Sequence, residues 1–343
     1  MKTRSVSRCN AFVPPTISSR RTRVFLLLLL AVTAIYFLLK VSKVNLNHSP
    51  LTCTRTSRGS SSTRAASDSL NVIVTLTTDD FVPIVADLIR LIRCVGLYEG
   101  PIVVLYTGTR ALTEPTFTDF NVILQDAVEL FPTTPTNMRH APSPPCGIDD
   151  DEDRTKRVTR SFAYYLKLSM FSNYFKQWNR VLWMDGRNQI HYPLAPFFTD
   201  INSTGALLAN PDAWPRASNL WPTRSQFFSD CNPKLFDQLN KRYDLDREHF
   251  QSTLMLFDTT IIDDTNTLIN LAKLYQEFGE ITGGDQGILS LHFSQDRGVY
   301  KHLPYRLSDT LMVPYDFKAR IEGARYIVTA WRDEPSLLWW WLL

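Results

Sequence analysis

Two short stretches concentrate the residues able to do chemistry. In Asn179-Arg180-Val181-Leu182-Trp183-Met184-Asp185-Gly186-Arg187, an apolar run of the kind that forms a buried parallel strand ends in a carboxylate, a glycine and a cation. Ligands of open α/β sheets bind outside the carboxyl ends of the strands. An Asp there, with a Gly that admits a ligand to the backbone and an Arg two residues on, suits a diphosphate or a metal-diphosphate complex. The plain alternative is an Asp that opens a turn after a strand. The second stretch, Gly283-Gly284-Asp285-Gln286-Gly287, opens a helix running through Ile288 to Phe293. Asp285 falls in its first turn, where the helix dipole favours a carboxylate. It reads either as an N-terminal cap or as a polar group aimed into a cleft.

The elements that must position these residues alternate between strand and helix. Asn71 to Thr78 is β-branched throughout and predicts a strand. Apolar residues from Phe81 to Leu97 recur at helical spacing, and Pro101–Tyr106 and Asn121–Leu124 follow as strands. Strand, helix, strand in that order implies parallel pairing. A helix over about Val158–Trp178 leads into the Asp185 strand. Ala206–Ala209 and Phe250–Ile262 read as further strands, with a helix over Asn266–Phe278. The class is α/β, with a mostly parallel central sheet and flanking helices. Residues 132–157 form a polar, Pro-rich loop whose acidic run, Asp149 to Asp153, reads as a solvated face rather than a cation site.

Charge and cysteines bound the surroundings. Six of the 37 basic residues lie within residues 1–23, without an acid among them, so the remainder carries 31 basic against 34 acidic side chains. A slightly acidic domain gives no reason to expect a nucleic-acid partner. Val24 to Leu39 is uncharged and apolar, about 24 Å long as a helix. Its long charged lead and lack of a small-residue cleavage site favour an uncleaved anchor over a signal peptide, and the basic lead places the N-terminus in the cytosol. The organisation expected is a cytosolic tail 1–23, a transmembrane anchor 24–40, a Ser/Thr-rich stem 41–69, a lumenal domain 70–335 and an apolar tail 336–343. In that topology Cys53, Cys94, Cys146 and Cys231 meet an oxidising compartment and allow three pairings, although Cys94 reads equally as a buried helix residue. Asn202-Ser203-Thr204 is a glycosylation sequon better placed than Asn47-His48-Ser49, which lies near the membrane with Pro50 behind it.

Four blocks together resemble a known family: Val74-Thr75-Leu76-Thr77-Thr78-Asp79-Asp80, the strand ending at Asp185, Gly283 to Leu289, and Lys301-His302-Leu303-Pro304. Their order and spacing resemble glycogenin-like members of glycosyltransferase family 8 over residues 71–330. The resemblance implies a GT-A fold and retaining transfer of a hexose from a UDP-sugar, with manganese as cofactor. It places Leu76, Thr77 and Thr78 along the uridine, Phe81 under the base, Lys167 and Asp185 toward the donor, and Asp285 and Gln286 at the reacting carbon. Asp185 corresponds to the first carboxylate of the family's Asp-x-Asp. The partners so implied are a nucleotide sugar, a glycan or glycoprotein acceptor, the Golgi or ER membrane through the N-terminal helix, and a second copy as a homodimer.

The chain also departs from that family. Arg187 replaces the second carboxylate of Asp-x-Asp, Thr329 stands where a metal-binding His is expected, and the Lys-Pro-Trp that normally follows has no counterpart. One carboxylate coordinates a divalent cation poorly. A guanidinium, however, grips phosphate oxygens bidentately, which assigns Arg187 to the leaving diphosphate. The same exchange suits an Asp185–Arg187 ion pair in an inert binding or scaffolding protein. An inverting course, with Asp285 as general base, also stays open. Glycogen priming is disfavoured, because that polymer is cytosolic and this domain is expected to be lumenal. The topology predicts that protease added to sealed microsomes leaves residues beyond about 45 intact; digestion without detergent would end the lumenal reading.

Overall fold

The computed structural model describes residues 70–131, 162–212, 221–263, 266–304 and 327–329, with 306, 307, 310, 311, 325 and 326 as backbone. The tail, anchor, stem, first sequon, acidic loop and apolar C-terminus lie outside these residues. No helix among the described residues is long and apolar enough to cross a membrane.

Seven strands form one sheet in the order β3-β2-β1-β4-β7-β6-β8, with β1 Asn71–Thr78, β2 Ile102–Thr107, β3 Ile123–Asp126, β4 Arg180–Met184, β6 Leu207–Pro211, β7 Phe250–Asp258 and β8 Tyr300–His302. A short strand outside it, β5 (Gln189–Ile190), pairs with Val328–Thr329. β1, β2, β3 and β4 pair in parallel, as do β6 and β8, whereas β7 runs antiparallel to both its neighbours. The alternation of side chains along a strand divides the core in two. Val72, Val74, Val103, Leu105, Val181 and Trp183 enter one apolar cluster, and Ile73, Ile102, Val104, Leu182 and Met184 the other. Helix α1 (Val82–Cys94) covers the second face with Val85, Leu88, Ile89 and Ile92. The first face is covered by α2 (Thr267–Phe278), α3 (Asp285–Ser290) and the chain from residue 162 to β4.

Two expected elements differ. The helix into β4 is helical over 162–167, then breaks into two tight turns, Leu168–Phe171 and Asn173–Gln177, on either side of an extended Ser172. Leu168, Ser169, Met170 and Phe171 are all buried, and four consecutive residues cannot share one face of an α-helix. The strand from Phe250 ends at Asp258, whose carboxylate caps a turn over Thr259–Ile261. Cys94, at the end of α1, and Cys231 are disulfide-bonded, so Cys94 is not simply an apolar helix residue.

Beyond α3 the chain winds more widely through Leu291–Asp296 and buries His292, 1% exposed, with neither ring nitrogen hydrogen-bonded among the described residues. Burial, and secondarily the charge of Arg297, push its pKa from 6.5 down to about 4. The unfolded chain therefore takes up this proton first as pH falls. The contribution of a neutral His292 is complete above about pH 6.5 and is lost progressively toward pH 4, a loss of about 3 kcal/mol. Urea unfolding at pH 7.5 and 4.5 should show a smaller drop in stability for His292→Leu than for the wild type; equal drops would assign the acid sensitivity elsewhere.

Candidate active site

The chain runs outward from β1 through β2 to β3 and returns to β4 on the other flank of β1. The strand order thus reverses between β1 and β4, where an open α/β sheet leaves a crevice beyond its carboxyl ends. β1 delivers Leu76, Thr77 and Thr78 to that edge, with Phe81 in the turn that follows, and β4 delivers Asp185 and Arg187. α3 begins at Asp285 and Gln286, and the helical residues 162–167 end at Lys167.

Lys167 ties three of these elements together. Its ammonium lies 3.1 Å from Asp185 Oδ1 and 3.0 Å from Asp285 Oδ2. It also donates to the Ser252 carbonyl at 2.7 Å and the Ser252 hydroxyl at 3.1 Å, and lies 5.1 Å from the centre of the Trp183 ring. Burial alone lowers the pKa of an ammonium, but the two carboxylates outweigh it and hold Lys167 above its ordinary value. The Lys167 and Asp285 side chains are each 5% exposed and that of Asp185 is 35% exposed, so Asp185 is the member that opens to solvent. Asp285 therefore acts as a partner of Lys167, and the residue before the helix, Gly284, makes no side-chain cap.

The remaining expected residues fall around this cluster. The exposed Arg187 guanidinium sits 5.5 Å from the centre of the Phe81 ring, bringing together the residues assigned to diphosphate and base. Thr77 is buried and donates to the Thr78 carbonyl, and Leu76 packs on the core. A Cβ at Gly186 would lie 2.9 Å from the Val85 side chain, so the packing of α1 by itself requires a glycine there. Asn202 is exposed in a turn in which its side chain accepts from the Thr204 N–H at 3.0 Å.

No protein-family model matches the chain, and no curated protein matches its sequence. In three dimensions it is similar to the galactosyltransferase LgtC in complex with donor and acceptor sugar analogs, at a TM-score of 0.50 and 13% identity over 77% of this chain and 88% of that one. The fold is that of a GT-A-type glycosyltransferase. Mouse xyloside xylosyltransferase 1 (TM-score 0.47, 11% identity, 77% and 98% covered) and core-mannan synthase A from Aspergillus fumigatus in its Mn/GDP form (0.41, 11%, 68% and 72%) are more distant and add nothing to that conclusion.

On this GT-A frame, manganese does not fit the residues present. The Lys167 ammonium already holds Asp185 Oδ1 at 3.1 Å, and an added divalent cation there would meet a like charge. Thr329, in the strand antiparallel to β5, is buried with its hydroxyl 2.8 Å from His191 Nε2. No group of three or more His, Cys, Asp or Glu side chains among the described residues is arranged to hold a metal.

The four sequence blocks do not include Asp212, one residue past β6, whose carboxylate bonds His249, Gln251 and Gln286. A carboxylate just beyond an apolar strand, as in Ala209-Asn210-Pro211-Asp212, is the signal that could have found it. His249 carries no comparable signal.

Removing the ammonium leaves two carboxylates facing each other, one of them buried. Lys167→Met should therefore cost about 3–5 kcal/mol in urea unfolding. Asp285→Asn should cost about 1 kcal/mol, because Lys167 keeps Asp185 and an amide retains hydrogen bonding. Equal losses would mean that the ammonium is not the member holding the cluster.

Proposed function

We propose that this chain is a glycosyltransferase that moves a hexose from a UDP-linked sugar to a glycan or glycoprotein, with retention, in the manner of the glycogenin-like members of family 8. The observation that carries the reading is the Lys167–Asp185–Asp285 cluster at the switch point of a GT-A sheet, with Gln286 next along the helix. Leu76, Thr77 and Thr78 take the uridine, with Phe81 against the base. In the reaction the bond between the anomeric carbon and the diphosphate oxygen breaks, and its electron pair leaves with UDP. The acceptor hydroxyl oxygen bonds to that carbon, and its proton passes to the departing phosphate. Arg187 and Lys167 supply the positive charge that stabilises the leaving group, the larger part of such catalysis. Asp285 and Gln286 face the anomeric carbon.

The anchor at 24–40 and the stem at 41–69 hold this domain in the lumen of the Golgi or ER. The disulfide-bonded Cys94 and Cys231 support an oxidising compartment, and the exposed Asn202 is the glycosylation site. A second reading, a binding or scaffolding protein that has lost the chemistry, draws on Lys167, whose charge is already met by Asp185 and Asp285 and which donates to Ser252. UDP-sugar turnover by the purified protein separates the two.

If protein cations neutralise the diphosphate, UDP-sugar binding should survive excess EDTA. Arg187→Ala should weaken UDP by about tenfold or more while changing uridine by less than about twofold, since only UDP carries the charge Arg187 meets. Loss of binding in EDTA with no effect of Arg187→Ala would sink the substituted-cation mechanism.

A further inference from the structure

A second buried ionic network lies beside the first, and its centre is His249, immediately before β7. The imidazole side chain is fully buried. Its Nδ1 is 2.9 Å from the Trp221 carbonyl oxygen and its Nε2 is 2.9 Å from Asp212 Oδ2. A carbonyl only accepts, and an ionised carboxylate only accepts. Burial by itself raises the Asp212 carboxyl, but the hydrogen bonds it accepts from His249, Gln251 and Gln286 outweigh it and hold Asp212 below the ordinary carboxylate range. An imidazole with one N–H would point a lone pair at one of these two oxygens. Protons on both nitrogens satisfy both. The Gln226 amide nitrogen lies 3.0 Å from the same Nε2, and turning that amide through 180° supplies an oxygen as a second acceptor.

The carboxylate passes this constraint on. Asp212 Oδ1 accepts from Gln251 Nε2 at 2.7 Å, and Oδ2 accepts from Gln286 Nε2 at 2.7 Å. On its other side the Gln286 amide oxygen accepts from the Ser252 N–H at 3.3 Å. With an anion at one end and an N–H at the other, the Gln286 amide has one permitted orientation, and its oxygen keeps a second lone pair. The backbone braces the arrangement. Asp212 N donates to the His249 carbonyl, and Trp221 N donates to the Asp212 carbonyl, each at 2.9 Å.

We propose that His249, protonated on both ring nitrogens, is a positioning residue of the transfer reaction. It balances the Asp212 carboxylate, and Asp212 in turn fixes the direction in which Gln286 presents its amide. The role of Gln286 at the reacting carbon rests on the proposed function; the paired charges rest on the geometry alone. His249 touches no substrate in this account and acts only through Asp212.

The test uses the full-length chain labelled with 15N at histidine, with His249 assigned by the signals missing from His249→Gln. At pH 7 both ring nitrogens of His249 should carry protons; a ring nitrogen without one overturns the proposal, whatever the activity. UDP release from UDP-glucose, UDP-galactose and UDP-xylose gives the second arm. His249→Gln, which keeps one donor and removes the charge, should lower kcat by about tenfold or more with KM within about twofold. A wild-type kcat in that variant, or a loss expressed in KM alone, overturns the positioning role. Wild-type protein that neither binds nor turns over any of the three donors overturns the proposed function and the positioning role with it, while the nitrogen spectrum still decides the paired charges. Should His249→Gln fail to fold, that spectrum, assigned by elimination from substitutions at the other five histidines, decides the proposal on the wild-type protein.

Discussion

An ammonium group cannot stay buried without anions beside it, and the Lys167 ammonium is nine-tenths or more out of solvent. Its partners come from the carboxyl end of β4, the first turn of α3 and the first residues of β7. Each of those elements must therefore be in place before the charge is compensated, so the crevice and the fold around it form together. Such a cluster is a poor source of net stability, because desolvating its members costs about as much as their attraction returns. What it supplies is geometry. Asp185 and Asp285 are far apart in sequence and would repel each other if brought together without the lysine.

That constraint also bears on the residues that the glycogenin-like resemblance leads one to expect and that the chain lacks. A metal brings two positive charges to a diphosphate and needs several oxygen or nitrogen ligands to stay. Here Lys167 is already seated between the acids, and the exchange of a carboxylate for Arg187 moves the local charge by two units in the same direction. Thr329 completes the change, its hydroxyl directed to His191 and its side chain buried between short strands. Of the departures from the expected pattern, Arg187 puts protein charge, and Thr329 a buried hydroxyl, where the resemblance leads one to expect a metal ligand.

Much of the frame was legible in the sequence, because buried strands and an amphipathic helix announce themselves by period. β1, β2, β4 and α1 lie within a few residues of where the apolar patterns end. Lys167, Asp185 and Asp285 were each placed in the site, but their contact with one another was not, since nothing in a linear pattern shows that three charges far apart in sequence meet within about 3 Å. The broken helix after Lys167 was missed because its buried apolar residues Leu168, Phe171, Phe175 and Trp178 recur at the spacing of an unbroken helix. Gly186 shows another limit of the pattern: a glycine required by a helix packing behind it looks the same in sequence as one required by a ligand in front. His249 was invisible, being a single residue between Glu248 and Phe250 whose partners are an acid 37 residues earlier and a backbone carbonyl.

The reversed direction of β7 is what brings the two charged networks together. Parallel strands present only their carboxyl ends to the crevice, but β7 is antiparallel to β4, with Met184 opposite Leu254 and the Asp185 N–H donating to the Thr253 carbonyl. Its amino-terminal residues therefore reach the crevice edge that the other strands reach with their carboxyl ends. Ser252 lies there, its carbonyl accepting from Lys167 and its N–H donating to Gln286, so one residue joins the Lys167 cluster to the Asp212–His249 pair. Gln251 and His249, on either side of the first residue of β7, serve Asp212 from the same short stretch. Were β7 parallel, residues 249–252 would lie at the far edge of the sheet. Asp212 would then have neither its counter-charge nor Gln251, and the Gln286 amide would lose the N–H that fixes its orientation. The antiparallel strand is thus the topological feature on which the chemistry proposed for this site depends.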